Sequence, residues 1–113
     1  MGLVDEILEL IHSFAPNFDF NFNKYFIGLK KGDQVLNFIT LEPLKESLRL
    51  NLKTERNADL ENEMTKNGIK FLNYDQYFGQ YPVKIYPEWS ENQKEIVKGL
   101  LSKFYQNSYI SEF

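Results

Sequence analysis

Few side chains in this sequence of 113 residues could perform acid–base, nucleophilic or metal chemistry. It contains a single histidine, His12, and no cysteine, so a thiol nucleophile is absent and zinc would lack the nitrogen and sulfur ligands it needs. His12 falls outside the apolar stripe of a predicted helix, where we expect a partly exposed surface histidine. We therefore expect no metal ion and no cofactor.

Acidic side chains are the remaining candidates for catalysis. Paired acid–base chemistry could use four acids in predicted turns: Asp33, Glu42, Glu46 and Asp75. No two of them have a recognisable catalytic spacing, and acids in turns more often serve solubility or local hydrogen bonds. The glycines form no loop of the kind that cradles phosphate groups. We therefore predict no catalytic residues and expect that the protein is not an enzyme.

Basic residues are concentrated in the predicted strands. Residues 24–53 carry a net charge of +3 and residues 66–84 carry +2, whereas the whole chain carries −3. If these strands share one sheet, its solvent-exposed face is basic and could hold a nucleic-acid backbone. The alternative is that the lysines only discourage pairing at sheet edges, and the acidic pI of about 5.2 favours this alternative.

The nucleic-acid hypothesis nevertheless selects specific residues. The candidate backbone contacts are the basic side chains of the predicted strands: Lys30, Arg49, Lys53 and Lys84. Tyr25 and Tyr86 lie beside these strands and could stack on bases.

Aromatic residues crowd the segment from residue 74 to residue 89. Tyrosine-rich loops make good protein contacts because they bury much area with few rotatable bonds. The alternative is that these rings cap the core of a small sheet. The candidate protein-binding residues are Tyr74, Tyr77, Tyr81 and Trp89. Whether this segment belongs to the core or to an interface stays open at this level.

Helical spacing and strand alternation define the elements that must position these residues. Apolar residues at helical spacing predict helices over 2–14 and from residue 91 onward. A polar run that ends at the stop signal Asn67-Gly68 predicts a short helix over 57–67. Asn57 is the expected N-cap of this second helix, and Ser90 with Gln93 has the form of a capping box before the third. Strands are predicted at 25–30, 35–41, 47–53, 69–72 and 83–86.

The predicted elements give a fold class. We expect an α+β domain in which an antiparallel sheet of about five strands is packed by the N- and C-terminal helices, in the order α-β-β-β-α-β-β-α. Phe18, Phe20 and Phe22 alternate before the first predicted strand and are expected in the core. A chain of this length forms one domain over residues 1–113. No apolar run approaches the length of a membrane span, so we expect a cytoplasmic protein without membrane contact.

Two segments resemble a known domain family. Residues 24–30, an aromatic strand closed by a lysine, and residues 37–52, which begin Asn-Phe and end in a Leu-x-Leu-x-Leu strand, are similar to an uncharacterised bacterial family labelled "predicted transport protein". Ser108-Tyr109 is similar to the pair that ends the final helix of that family. The arrangement also resembles MmcQ/YjbR-like domains, for which a DNA-binding role is proposed.

This resemblance implies an accessory module beside a nuclease rather than a catalyst. Together with the basic strands, it favours a non-catalytic cytoplasmic binding module whose partner is nucleic acid. The alternative is a small protein-interaction or inhibitor domain that docks through residues 74–89.

Overall fold

The computed structural model of the chain describes residues 2–22, 26–32, 34–35 and 39–111. Within these ranges it contains three helices and one antiparallel sheet of seven strands. In chain order the elements are α1 (Leu3–His12), β1 (Phe18–Phe22), β2 (Ile27–Lys31), β3 (Gln34–Val35), β4 (Ile39–Pro43), β5 (Leu48–Lys53), α2 (Ala58–Lys66), β6 (Lys70–Phe71), β7 (Gln80–Ile85) and α3 (Glu91–Ser111).

The sheet has the strand order β1-β2-β4-β5-β7-β6, and the short β3 pairs with the end of β2. Every strand pair is antiparallel, and the longest ladder joins β5 to β7. This confirms the expected α+β class with an antiparallel sheet and terminal helices. The described sheet has two more strands than expected. One is β1, formed by the segment after Pro16, and the other is the two-residue β3, which follows the turn after β2 and pairs with β2.

Strict alternation along β5 separates the two faces of the sheet. Leu48, Leu50 and Leu52 are each 1% exposed and belong to a single apolar core. Burying one such side chain stabilises the fold by roughly 1.5–3 kcal/mol. Phe18 and Phe20 join the same core from β1, as expected, while the side chain of Phe22 lies outside the described part of the chain.

All three helices contribute to that same core. Their buried side chains include Ile7 of α1, Met64 of α2 and Leu101 of α3, each 0% exposed. The helices therefore lie on the face of the sheet that carries the β5 leucines. No helix among the described residues is long and apolar enough to cross a membrane.

Local hydrogen bonds fix where the helices begin. The Asn57 side chain accepts from the backbone N–H groups of Asp59 and Leu60, at 2.9 and 3.1 Å, which confirms it as the N-cap of α2. At the start of α3, the Ser90 hydroxyl accepts from Gln93 N at 3.0 Å and the Gln93 side chain accepts from Ser90 N at 3.1 Å. The predicted capping box is therefore present.

The turn predicted at residues 31–33 is partly described. Gly32 has φ of +62°, a conformation that favours glycine, and it follows the last residue of β2. Tyr25 and Asp33 lie outside the described residues.

Candidate functional site

The face of the sheet opposite the core carries polar and charged side chains. On β5 these are Arg49, Asn51 and Lys53, which alternate with the buried leucines. Because the helices pack on the leucine side, this second face has no helix over it among the described elements. We call it the open face.

A row of basic residues crosses the open face. Arg49 on β5 is paired in register with Lys84 on β7, and Lys84 is paired with Lys70 on β6. We call these three residues the basic row. On its other side Arg49 faces Glu42 of β4, with 3.6 Å between the guanidinium and the carboxylate. Neighbouring strands lie about 4.8 Å apart, so the basic row spans roughly 10 Å.

The structure places all four basic candidates on the open face. Lys30 lies two residues after Gly28 on β2, where the register pairs it with Asp19 of β1 and with Val35 of β3, on the face opposite the buried Leu29. Lys70, which the sequence did not single out, joins Lys84 at the sheet edge. Its ammonium lies 5.6 Å from the centre of the Tyr86 ring, and that ring is 41% exposed.

A small pocket borders the basic row, between β7 and the start of α3. It has a volume of about 210 Å³, and its lining includes Lys70, Lys84 and Trp89. The buried Trp89 Nε1 has no hydrogen-bond partner within the described part of the chain. Glu88, at the same pocket, has φ of 65°, a strained backbone conformation for a residue other than glycine. The lining thus combines two basic side chains, Lys70 and Lys84, with the acidic side chain of Glu88.

A second pocket lies in the open face near the other end of β5. It has a volume of about 420 Å³, and we call it the polar pocket. Three of its lining residues are polar and almost fully buried: Thr40, Asn51 and Gln80. No other polar residue in the described ranges is buried to this degree. Its remaining walls are two charged and two aromatic side chains: Glu42, Lys53, Phe26 and Phe78.

Asn51 is the central polar group of this pocket. Its Nδ2 donates to Thr40 Oγ1 at 3.1 Å and to Glu42 Oε2 at 3.0 Å. Because a carboxylate only accepts hydrogen bonds, this contact fixes which end of the amide is nitrogen. The Asn51 Oδ1 atom is then left buried without a hydrogen-bond partner among the described residues. An unpaired buried acceptor is costly, so it marks a place where a donor is expected.

Lys53 supplies a partly desolvated cation at the polar pocket. Its ammonium donates to Gln80 Oε1 and lies 5.7 Å from the centre of the Phe78 ring. Burial lowers the pKa of Lys53 below its usual 10.5, and the carboxylates of Asp75 and Glu42 offset part of that effect. A desolvated ammonium forms stronger contacts with an incoming acceptor than one in bulk water.

The aromatic segment divides between core and surface. Tyr81 is 0% exposed and its hydroxyl donates to Glu61, while Trp89 is 9% exposed and belongs to the core. These two proposed protein-binding residues are therefore core residues and do not form a docking surface. Tyr74 is half-buried against Tyr81, with ring centres 4.8 Å apart, and its hydroxyl donates to Thr54 O.

The two most exposed rings of the segment lie at the tip of its loop. Tyr77 is 87% exposed and Phe78, which the sequence did not select, is 61% exposed. Their rings meet edge to face at 4.7 Å. The Asp75 carboxylate accepts from the backbone N–H groups of both residues and holds this tip in place.

The polar pocket is the main feature that the sequence did not reveal. Its three buried polar residues are Thr40, Asn51 and Gln80. Apart from Asn51, nothing in the neighbouring sequence distinguishes them from solvent-exposed polar residues. Only the register of β4, β5 and β7 brings these residues together. The one available signal was Asn51, an amide in a strand otherwise composed of leucines and charged residues.

Within the described ranges, no group of three or more histidine and acidic side chains is close enough to hold a metal ion. His12 is exposed, and its Nε2 lies 2.7 Å from the carbonyl oxygen of Phe18.

Comparisons with protein-family models, with curated proteins and with solved structures found no match. The resemblance to the "predicted transport protein" family and to MmcQ/YjbR-like domains therefore stays a prediction.

Proposed function

We propose that this protein is a non-catalytic, cytoplasmic binding module that holds single-stranded nucleic acid on its open face. The observation that carries the proposal is the basic row of Lys70, Lys84 and Arg49 on a sheet face that no described helix covers. Lys30 on β2 and Lys53 on β5 add two cations to the same face. A polyanion that contacts this face is attracted at several points at once.

Exposed rings beside these cations support a single strand rather than a duplex. Tyr86 lies next to Lys70, and Phe78 lies next to Lys53. Unpaired bases stack on aromatic side chains whatever their sequence, whereas the bases of a duplex are stacked on one another. We assign one phosphate group to the pocket between β7 and α3, because Lys70 and Lys84 line it.

An accessory role follows from the same features. The resemblance to a family found beside nucleases supports a module that presents a strand to another protein's active site. The acids of the open face have structural partners, since Glu42 contacts both Arg49 and Asn51. The proposed role of the face is therefore binding.

Salt titration of oligonucleotide binding tests this proposal. Fluorescence anisotropy with a labelled oligo(dT) and with a duplex of equal length is measured over a range of salt concentrations. We expect tighter binding of the single strand, with the logarithm of the affinity falling by about 0.7 per phosphate contact for each tenfold rise in salt. Three contacts by the basic row give a slope of about −2.

Paired charge removals provide the control. The Lys70→Ala, Lys84→Ala double variant loses two contacts and its slope becomes shallower by about 1.4. The Lys98→Ala, Lys103→Ala double variant makes the same charge change on α3, on the other side of the sheet, and we expect it to keep the wild-type slope. Absence of binding at low salt, or equal losses in both double variants, contradicts the proposal.

A second candidate function is protein binding through the exposed ring pair Tyr77 and Phe78. The observation that favours it is that both rings are exposed at the tip of a loop held by hydrogen bonds to Asp75. If they serve docking, the Tyr77→Ser, Phe78→Ser double variant keeps the wild-type stability within about 0.5 kcal/mol. Quantitative affinity capture should then lose one specific protein that the Lys70→Ala, Lys84→Ala variant retains. Identical capture by both variants contradicts this candidate.

A further inference from the structure

We propose that the polar pocket binds one guanine base. The inference rests on the proposed function and deepens it, because it adds recognition of one base to phosphate contacts that carry no sequence information. It depends on three groups at known positions: the Asn51 amide oxygen, the Glu42 carboxylate and the Lys53 ammonium.

The first step is the unpaired acceptor. Asn51 Nδ2 donates hydrogen bonds to Thr40 and to Glu42, and Asn51 is 3% exposed. Its Oδ1 is buried and lacks a partner among the described residues. A ligand that brings an N–H group to this oxygen satisfies a group that the protein leaves unpaired.

The second step is the carboxylate beside it. Glu42 Oε2 accepts from Asn51 Nδ2 at 3.0 Å and lies 3.6 Å from Arg49. A carboxylate has about four acceptor sites, so Glu42 can accept further hydrogen bonds. The contact between the two side chains places two acceptors, Asn51 Oδ1 and the Glu42 carboxylate, next to each other.

The third step is the cation that lines the same pocket. Lys53 has three N–H donors, and its hydrogen bond to Gln80 uses one of them. The pocket therefore offers two adjacent acceptors and a donor to a planar ligand.

This pattern matches guanine and not the other bases. The Watson–Crick edge of guanine carries two adjacent donors, N1–H and the N2 amino group, followed by the acceptor O6. Adenine and cytosine present one donor group beside ring acceptors, and thymine presents one donor between two acceptors. Each of these bases would place an acceptor against the Glu42 carboxylate or the Asn51 oxygen, which is repulsive and leaves buried groups unpaired.

The walls of the pocket suit a flat ring. Phe26 is half-buried and Phe78 is 61% exposed, and both line the pocket. Its volume of about 420 Å³ lies within the range of small-ligand sites. The ion pair of Glu42 with Arg49 connects the pocket to the basic row, so a base in the pocket leaves its own phosphate beside cations.

Base substitution in one oligonucleotide tests the inference. An oligo(dT) with a single central dG is compared with the same strand carrying dA, dC or dT at that position. We expect the dG strand to bind about tenfold more tightly than the others. A strand with central inosine, which lacks the N2 amino group, should bind more weakly than the dG strand. Equal affinity for all central bases, or for inosine and guanine, overturns the inference.

Matched variants assign the preference to the polar pocket. Glu42→Gln replaces an acceptor oxygen by a donor, so we expect the dG preference to fall below about twofold. Glu46→Gln makes the same change at an exposed residue of the β4–β5 connection that does not line the pocket, and the preference should persist. Circular dichroism at several temperatures verifies that both variants are folded. Loss of the preference in both variants, or in neither, contradicts the inference.

Competition by free nucleotides distinguishes binding of a guanine within a nucleic-acid strand from binding of a free guanine nucleotide. Competition of the dG strand by GMP, at concentrations at which AMP has no effect, supports the pocket and indicates that a free nucleotide fits it. A dG preference without competition by GMP supports recognition only within a strand. If oligo(dT) binding shows the expected salt slope but neither the base substitutions nor the nucleotide competition shows a preference for guanine, the proposed function stands and the guanine inference fails.

Discussion

Lys70 and Lys84 lie directly opposite each other in the register of β6 and β7, so two like charges face each other at the edge of the open face. Like charges in a directly opposed pair destabilise a sheet. We expect Lys70→Glu, which converts the pair to opposite charges, to raise the free energy of unfolding by about 0.2–1 kcal/mol. The same variant should bind oligo(dT) more weakly. Urea unfolding and anisotropy measure the two effects.

The control for the predicted gain in stability and loss of oligo(dT) binding is Lys103→Glu on α3. It makes an identical change in net charge at an exposed position away from the sheet. We expect little change in either quantity. A Lys70→Glu variant that loses stability would show that the opposed lysines do not repel each other in the folded protein.

The two faces of β5 should respond differently to mutation. Leu50→Ala removes a fully buried side chain from the core and should cost about 2–5 kcal/mol. Asn51→Leu, at the next residue, removes an amide whose oxygen is unpaired, while Glu42 keeps its contact with Arg49. We expect a change below about 1 kcal/mol, because the lost hydrogen bonds are offset by removal of the unpaired acceptor. Urea unfolding of both variants checks the contrast, and equal losses would contradict our description of the polar pocket.

The Tyr81 hydroxyl should make stability sensitive to alkaline pH. It donates to Glu61 Oε2 at 2.6 Å and accepts from Asn57 N at 2.7 Å. Tyr81→Phe should cost about 1–3 kcal/mol at neutral pH, because it leaves the Asn57 N–H without this partner. Tyr77→Phe is the matched control, since that ring is 87% exposed, and it should have almost no effect.

The direction of the pH effect follows from the pKa. Burial, and then the hydrogen bond to Glu61, raise the pKa of Tyr81 above its ordinary value of 10.0. The folded protein therefore holds this proton more tightly than the unfolded chain does. Its contribution is fully present below about pH 10 and is lost as the pH rises above that value. The difference in stability between wild type and Tyr81→Phe should accordingly shrink above pH 10, and a difference that grows would contradict this assignment.

Lys94 connects the first and last helices through an ion pair with Glu6, at 3.3 Å. The hydrogen bond to Glu6 raises the pKa of Lys94 above 10.5, against the opposing effect of burial. The stabilisation is present below pH 10.5 and is lost at higher pH, as the lysine of the folded state deprotonates. Lys94→Met should therefore lower Tm slightly at neutral pH and low salt, and less at high salt. Lys103→Met is the control, and an equal decrease in both variants would show that the ion pair does not contribute.

Local signals were sufficient to predict the helices and the central strand. Asn57 and Ser90 carry capping information within three residues of themselves, and the Leu48-x-Leu50-x-Leu52 alternation defines its own two faces. These features depend on neighbours in the chain, so the sequence alone was enough to locate them.

The start of β7 illustrates a misleading local signal. Pro82 lies in the middle of a strand that pairs with both β5 and β6, where proline is normally disfavoured. From the sequence we predict the strand from Val83 onward and place Tyr81 in the preceding aromatic loop, whose assignment to core or interface the sequence leaves open. In the structure Tyr81 is the first core-facing residue of β7.

The candidate site depends on contacts that are distant in sequence. Asn51 meets Thr40 and Glu42 across the β4–β5 ladder, and Lys53 meets Gln80 across the β5–β7 ladder. A shift of the register by one residue would send these side chains to the opposite face. The residue pattern of one β-strand does not specify its register with the next β-strand. The sequence was therefore enough to select the basic candidate residues but not to predict the polar pocket.

The placement of the helices on one side of the sheet also separates charge. The seven strands contain six lysine and arginine residues and two acids, whereas the three helices together contain eight acids and four lysines. The molecule therefore carries an electric dipole even though its net charge is negative. Near a polyanion this dipole exerts a torque that turns the helices away before contact, so a collision begins with the strands already facing the target.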